Sequence, residues 1–299
     1  MAVLESLRSA VDALSRNRAL FLAGLGYGLL VLPQNALQLA RVPLAPTALS
    51  VVSFFLTPFV VAGLLGMADE SLDGDTSLST LRTVGRDRYV PLLLGNLVRF
   101  GIHLVFAVVA VAVLVVLLFT TGLASAVATG GVAPGSVGGA VLLPAVSILA
   151  LLALLFLLVT LFVQFYDVAV VVDGVGPIDG FTRSVGFVRD NVLATVGYSL
   201  VNLAVALVVN LPVAGYVALK SVSNSETMGA GTPVPTDFSQ LGAGAFGGGP
   251  SPFSTPELVA LVAASLLTSA LLLAFRQTYA TAFYRRQHTS VEDRVLDEP

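Results

Sequence analysis

The sequence predicts an all-α integral membrane protein: six transmembrane helices in three hairpins, each hairpin preceded by a short interfacial amphipathic helix. Three observations lead there. First, 56% of the 299 residues are hydrophobic and 11% charged, with a mean hydropathy of +0.91. Soluble domains carry roughly 25% charged residues, so this much apolar surface calls for a lipid solvent. Second, apolar runs near or above the ~20 residues that a crossing helix needs recur six times. Third, the basic residues collect on one side of those runs.

The chain opens on an amphipathic stretch. Val3, Leu4, Leu7, Ala10, Val11 and Leu14 fall on one helical face, with Glu5, Arg8, Ser9 and Asp12 on the other. That pattern suits a helix lying in the headgroup layer. A secretory signal is the rival, but Glu5 and Asp12 spoil its basic start and the apolar run after Arg18 is too long. The six apolar segments follow at residues 19–39, 47–66, 89–120, 141–172, 192–219 and 257–284.

Orientation follows from the arginines. Arg8, Arg16, Arg18, Arg82, Arg86, Arg88, Arg183, Arg189, Arg285, Arg286 and Arg294 flank one side, and only Arg41 and Lys220 the other. Both termini are therefore expected in the cytoplasm, with the protein in the cell membrane. The outer loops differ in kind. The one at 121–139 is uncharged and made of small residues, and the one at 221–256 is rich in Gly, Ser, Thr and Pro. The latter composition predicts a segment without fixed structure. The whole chain, 1–299, reads as one membrane domain. An interfacial helix spans 1–18, the six-helix region 19–286, and a polar cytoplasmic tail 287–299.

Three joints on the basic side can be laid over one another. They are Arg16-Asn17-Arg18, Arg86-Asp87-Arg88 and Arg189-Asp190-Asn191. Each follows an amphipathic segment and opens an odd-numbered apolar run. Ile178, Phe181, Val185 and Val188 form the apolar stripe of the third segment, with Pro177 suited to its first turn. Leu78, Leu81 and Val84 do the same in the second, with Asp75 as N-cap. Arg16, Arg86 and Arg189 are expected to meet lipid phosphates, and the Asn or Asp beside them to cap the next helix. The pattern predicts an internal threefold repeat.

Residues 161–202 carry the clearest joint. An apolar, β-branched exit (Val168 to Val172) ends on Asp173, followed by Arg183-Ser184 and Arg189-Asp190-Asn191. This stretch resembles the membrane domain attached to some bacterial glycerophosphoryl diester phosphodiesterases, and related stand-alone multi-helix membrane proteins. In that group the chemistry belongs to a separate soluble barrel, which has no counterpart here. The resemblance therefore implies a membrane module with no catalytic residues to carry over.

Composition excludes other classes. There is no cysteine, so there are no disulfides or thiolate sites, and His103 and His288 alone make a poor metal site. No metal or cofactor is expected. A net charge of −3 gives no reason to expect nucleic acid. Fourteen arginines against one lysine, an acidic excess and the absence of Trp resemble the usage of extreme halophiles.

The residues that stand out are ionisable or amide groups inside apolar runs, where they are costly and mark function or packing. Arg99 and His103 lie four apart on one face of the third run. Gln164 and Asp167 stand near the end of the fourth, Asn202 in the fifth, Arg276 and Gln277 in the sixth. Their depths match, which predicts a polar layer with Asp167 paired to Arg99 or Arg276. Such a layer either fixes helix packing or binds an anionic headgroup or solute. Gly24 and Gly28 form a small-residue face for helix packing. Pro33 and Pro212 predict kinks, and Asp69, Glu70, Asp73 and Asp75 a solvated linker. The expected role is a non-enzymatic membrane module interacting with lipids or partner membrane proteins. The alternative is a transporter or permease-like component that uses the polar layer.

Overall fold

A computed structural model describes residues 2–40, 42, 44–119, 138–227 and 253–296. Among these, the regular structure is entirely helical: α1 (Ala2–Arg16), α2 (Arg18–Leu39), α3 (Ala45–Asp73), α4 (Leu78–Asp87), α5 (Tyr89–Leu118), α6 (Gly138–Val163), α7 (Tyr166–Val172), α8 (Pro177–Asp190), α9 (Val192–Thr227) and α10 (Thr255–Leu296). Six spans are long and apolar enough to cross a membrane: Arg18–Leu39, Ala45–Asp73, Tyr89–Val116, Val146–Val172, Val192–Lys220 and Thr255–His288. By length and composition the chain reads as a multi-pass membrane protein. Arg41 and most of the two expected outer loops, 121–139 and 221–256, lie outside the described residues.

Several boundaries differ from expectation. The fifth crossing helix continues to Thr227, and the last runs through the expected polar tail to Leu296. Pro33 and Pro212, expected to kink their helices, lie inside the continuous α2 and α9. The fourth span, expected to be continuous, is broken at Gln164 and Phe165 into α6 and α7. Ser77, not Asp75, occupies the N-cap position of α4, whereas Pro177 does open α8.

Consecutive long helices pack pairwise, α2 with α3, α5 with α6 and α9 with α10. Each amphipathic helix lies against the end of an apolar helix that precedes it in cyclic order: α4 on α3, α8 on α7, and α1 on α10. Glycine allows the closest of these approaches. A Cβ at Gly66 would stand 2.7 Å from the Val84 side chain, and one at Gly85 2.9 Å from the Phe59 carbonyl. The Gly24 and Gly28 face packs α2 on α10, with Ala270 and Leu266 opposite.

The joints are clamped by side chains rather than capped. Asn17 makes no cap on α2. Its amide donates to the Gly74 carbonyl at 3.2 Å, and its Oδ1 accepts the Thr76 amide at 3.0 Å. Arg88 does the matching work one unit on, donating to the Gly174 carbonyl at 2.9 Å. Gly174 has φ +71°, a left-handed turn that suits glycine. The acidic stretch is not a free linker either. Asp73 pairs with Arg285 at 2.8 Å, and Glu70 accepts hydrogen bonds from Thr76 and Thr80.

The core gathers at this end of the bundle. Phe165, at the break, is fully buried among the rings of Phe187 (4.9 Å), Tyr198 (5.0 Å) and Phe283 (5.6 Å). Towards the other end, α5 and α6 turn apolar side chains outward, including Val105, Val108, Leu151 and Leu157. That is the surface a hydrocarbon solvent would cover.

Candidate polar cavity

The break in the fourth span is what opens the site. An interrupted helix frees a backbone donor and a backbone acceptor, which must be satisfied away from water. Ser184 of α8 supplies both partners. Its hydroxyl accepts the Phe165 amide at 3.1 Å and donates to the Phe162 carbonyl at 2.7 Å. With the backbone held there, Gln164, Tyr166 and Asp167 all line one internal cavity.

The cavity holds about 390 Å³ and draws on every long helix. It brings together Arg99 from α5, Gln164, Asp167 from α7, Asn202 from α9, and Arg276 and Gln277 from α10. Arg99 stands ten residues beyond Tyr89, the start of α5, and that is about 15 Å of helix. In a hydrocarbon layer ~30 Å thick that began at Tyr89, this depth would be close to the middle.

His103 is the residue that sequence spacing misplaced. It lies off the cavity in a small recess with Arg99, Ile102 and Val163. Its Nδ1 donates back to the Arg99 carbonyl at 2.7 Å, and its ring sits edge-on to Phe156. The i, i+4 relationship did put it on the Arg99 face, but one turn further along, where apolar packing closes the space.

The lining also includes uncharged residues that the sequence reading passed over: Tyr27, Thr57, Asn96, Thr160, Tyr166 and Tyr198. Asn96 had a usable signal, being three residues before Arg99 on the same face. The Tyr166 hydroxyl donates to Asn96 Oδ1. The Ser199 hydroxyl donates to Gln164 Oε1 at 3.2 Å, which leaves Gln164 Nε2 as a buried donor with no partner.

The expected contact pair between Asp167 and an arginine is not formed. Among the described residues neither Arg99 nor Arg276 has a carboxylate within 4.0 Å. Asp167 Oδ1 and Asn202 Oδ1 are buried acceptors without a hydrogen-bond partner. Both guanidinia nonetheless act on Asp167 electrostatically, and Arg276 also on Tyr27 and Tyr198. Arg99 and Asp167 are half-buried and Arg276 is exposed, so the cavity is open rather than sealed. The helices hold opposite charges near one another without letting them touch.

A second, cruder recess lies among Arg183, Asp190, Asn191, Tyr284 and His288. Beside it, Asp173 accepts from Arg183 and from Tyr284, each at 2.7 Å. That hydrogen bond to Asp173 raises the Arg183 pKa. Arg16, Arg86 and Arg189 are all exposed and lack a carboxylate within 4.0 Å among the described residues.

No curated protein and no solved structure matches the chain. The likeness to the phosphodiesterase membrane domain gains no family support, and only its multi-helix membrane character carries over. The family model that does match is the domain of unknown function DUF7847, over residues 1–287, and the chain belongs to that family.

Proposed function

We propose that the polar cavity binds a small anionic group, carried by a soluble solute or a lipid headgroup, in a permease-like or lipid-handling membrane component. One observation carries this reading: Arg99 and Arg276 face an open cavity of about 390 Å³ with no carboxylate in contact. A layer that only fixed helix packing would pair these charges internally, because unpaired ions at such depth are costly. A bound anion offsets that cost. The chemistry of two guanidinia with amides around them suits binding rather than turnover, so the role proposed is non-enzymatic.

The test uses the full chain in mild detergent. Phosphate and a short carboxylate should raise its unfolding temperature, and native mass spectrometry should show a retained lipid or solute. Arg99→Ala and Arg276→Ala should each reduce these effects. If neither variant changes stabilisation or retention, the reading fails.

A second reading concerns the surface, and the exposed Arg16, Arg86 and Arg189 favour it. Here α1, α4 and α8 lie in the headgroup layer of the cell membrane, on the cytoplasmic side with both termini, and each introduces one helical hairpin. The cyclic packing of α4 on α3, α8 on α7 and α1 on α10 supports a threefold repeat. So does the matched clamping of Gly74 by Asn17 and Gly174 by Arg88. In this reading the arginines grip anionic lipid, and partner membrane proteins dock on the same face. Reconstitution into anionic and neutral vesicles tests it: replacing the three arginines by glutamine should lower stability in anionic vesicles only.

A further inference from the structure

We infer that the ligand of this cavity is a zwitterion, carrying a protonated amine as well as its anionic group. The inference rests on the anion-binding reading above and adds the second half of the ligand.

The unmet hydrogen-bonding capacity of the lining is of two kinds. Gln164 Nε2 is a donor without a partner, and Arg99 and Arg276 line the same space with no carboxylate within 4.0 Å among the described residues, so this set calls for an acceptor such as a carboxylate or a phosphate. Asp167 Oδ1 and Asn202 Oδ1 are acceptors, and they call for an N–H or O–H donor. A simple anion satisfies only the first set. It would also leave Asp167 Oδ1 and Asn202 Oδ1 without a donor. A ligand with an ammonium group answers both: the anionic end takes the guanidinia, and the ammonium bridges Asp167 and Asn202.

Geometry supports this division. Arg99, Asp167 and Arg276 come to the space from three different helices, α5, α7 and α10. Ser184 holds the backbone at Phe162 and Phe165, just before Asp167. The Asp167 carboxylate has no arginine within 4.0 Å among the described residues, and a ligand of opposed charges fills the gap between them. A cavity of about 390 Å³ accommodates a molecule of this sort, whether a free amino-acid-like or aminoalkyl-phosphate solute or the headgroup of a lipid.

The experiment compares matched pairs on the full chain in detergent by isothermal titration. One pair is β-alanine against propionate, the other O-phosphoethanolamine against phosphocholine, whose quaternary ammonium cannot donate. The member with N–H donors should bind at least tenfold more tightly in one of the pairs. Asp167→Asn, a near-isosteric change, should bring that ratio below threefold, chiefly by weakening the member with N–H donors. Nanodiscs of phosphatidylethanolamine against phosphatidylcholine, read by native mass spectrometry, separate the sources. Preferential retention of the former without binding of the soluble probes assigns the group to a lipid. Equal binding within both pairs, abolished by Arg99→Ala, and no preference between the two lipids would overturn the zwitterion and leave the anion site standing. Binding of no soluble probe and retention of no lipid would overturn both.

Discussion

Ser184 holds both sides of the helix break at Phe165. Its hydroxyl is acceptor for one freed backbone group and donor for the other, at 3.1 and 2.7 Å. The consequence reaches beyond local geometry. Ser184 belongs to the amphipathic helix α8, whereas Gln164, Tyr166 and Asp167 on either side of Phe165 line the cavity. One side chain thus couples an element at the end of the bundle to the polar centre.

Ser184→Ala should therefore destabilise the protein by about 1–2 kcal/mol, the cost of leaving a buried amide without an acceptor. Ser184 has 0% exposure, so water cannot easily take over its role. Thermal unfolding in detergent measures the loss. Stabilisation by added anions should weaken in the same variant, because Gln164 and Asp167 lose their fixed positions. A variant unchanged on both counts would mean that packing around Phe165 alone keeps the helix broken.

The contact of α2 with α10 gives a prediction with its own control. A Cβ at Gly24 would meet the Ala270 carbonyl, and the backbone of one helix would have to move. A Cβ at Gly26 would meet nothing within 4 Å. Gly24→Ala should cost about 1–3 kcal/mol through overpacking, whereas Gly26→Ala should be neutral or stabilising by up to about 1 kcal/mol from helix propensity. Melting temperatures of the two variants, measured side by side, should move in different directions or by clearly different amounts.

The cluster of Asp173, Arg183 and Tyr284 separates buried from exposed interactions. Tyr284 is 1% exposed and donates to Asp173 at 2.7 Å. The Arg183 side chain is 47% exposed. Tyr284→Phe should cost about 1–2 kcal/mol, and Arg183→Gln less than about 1 kcal/mol because solvent screens the pair. The raised Arg183 pKa implies stability that is present at low pH and lost only as pH climbs through a value above the ordinary arginine range. Stability should then show no alkaline step from this pair between about pH 7 and 10, which thermal melts across that range would check.

The crossing helices were legible because hydropathy and length are local properties, and the amphipathic helices because their periodicity is. That Arg99, Asp167, Asn202 and Arg276 would come to one place was also legible, by counting residues from the joints. What stayed hidden was tertiary. No Gly or Pro marks Gln164 and Phe165, and the sequence from Val141 to Val172 reads as one helix. The partner that satisfies the break, Ser184, is 19 residues beyond Phe165 on another element. The missing contact between Asp167 and the arginines is tertiary as well, since matched depth does not say how far apart rigid helices hold their side chains. Asn17 taught a related lesson. Its place before α2 suggests a cap, but the Gly74 carbonyl and Thr76 amide compete for its side chain and win.

The two cavity arginines allow the strictest test of a shared ligand. If Arg99 and Arg276 grip one anionic group, removing either leaves the other with a poorly held ligand. Each single change to alanine should weaken anion binding at least tenfold, and the double variant should lose much less than the product of the two. Groups that share a partner are non-additive in this way, whereas independent sites add. His103 supplies the contrast. It is the nearest ionisable neighbour of Arg99 on α5, but it bonds to the Arg99 carbonyl and lies off the cavity. His103→Ala should leave anion affinity within about twofold of the parent, since it removes no group that reaches the ligand. Titrations of the four variants with phosphate under one set of conditions would measure the coupling. Strict additivity of the arginine changes, or an effect of His103→Ala as large as theirs, would show that a single bound anion does not join these two guanidinia.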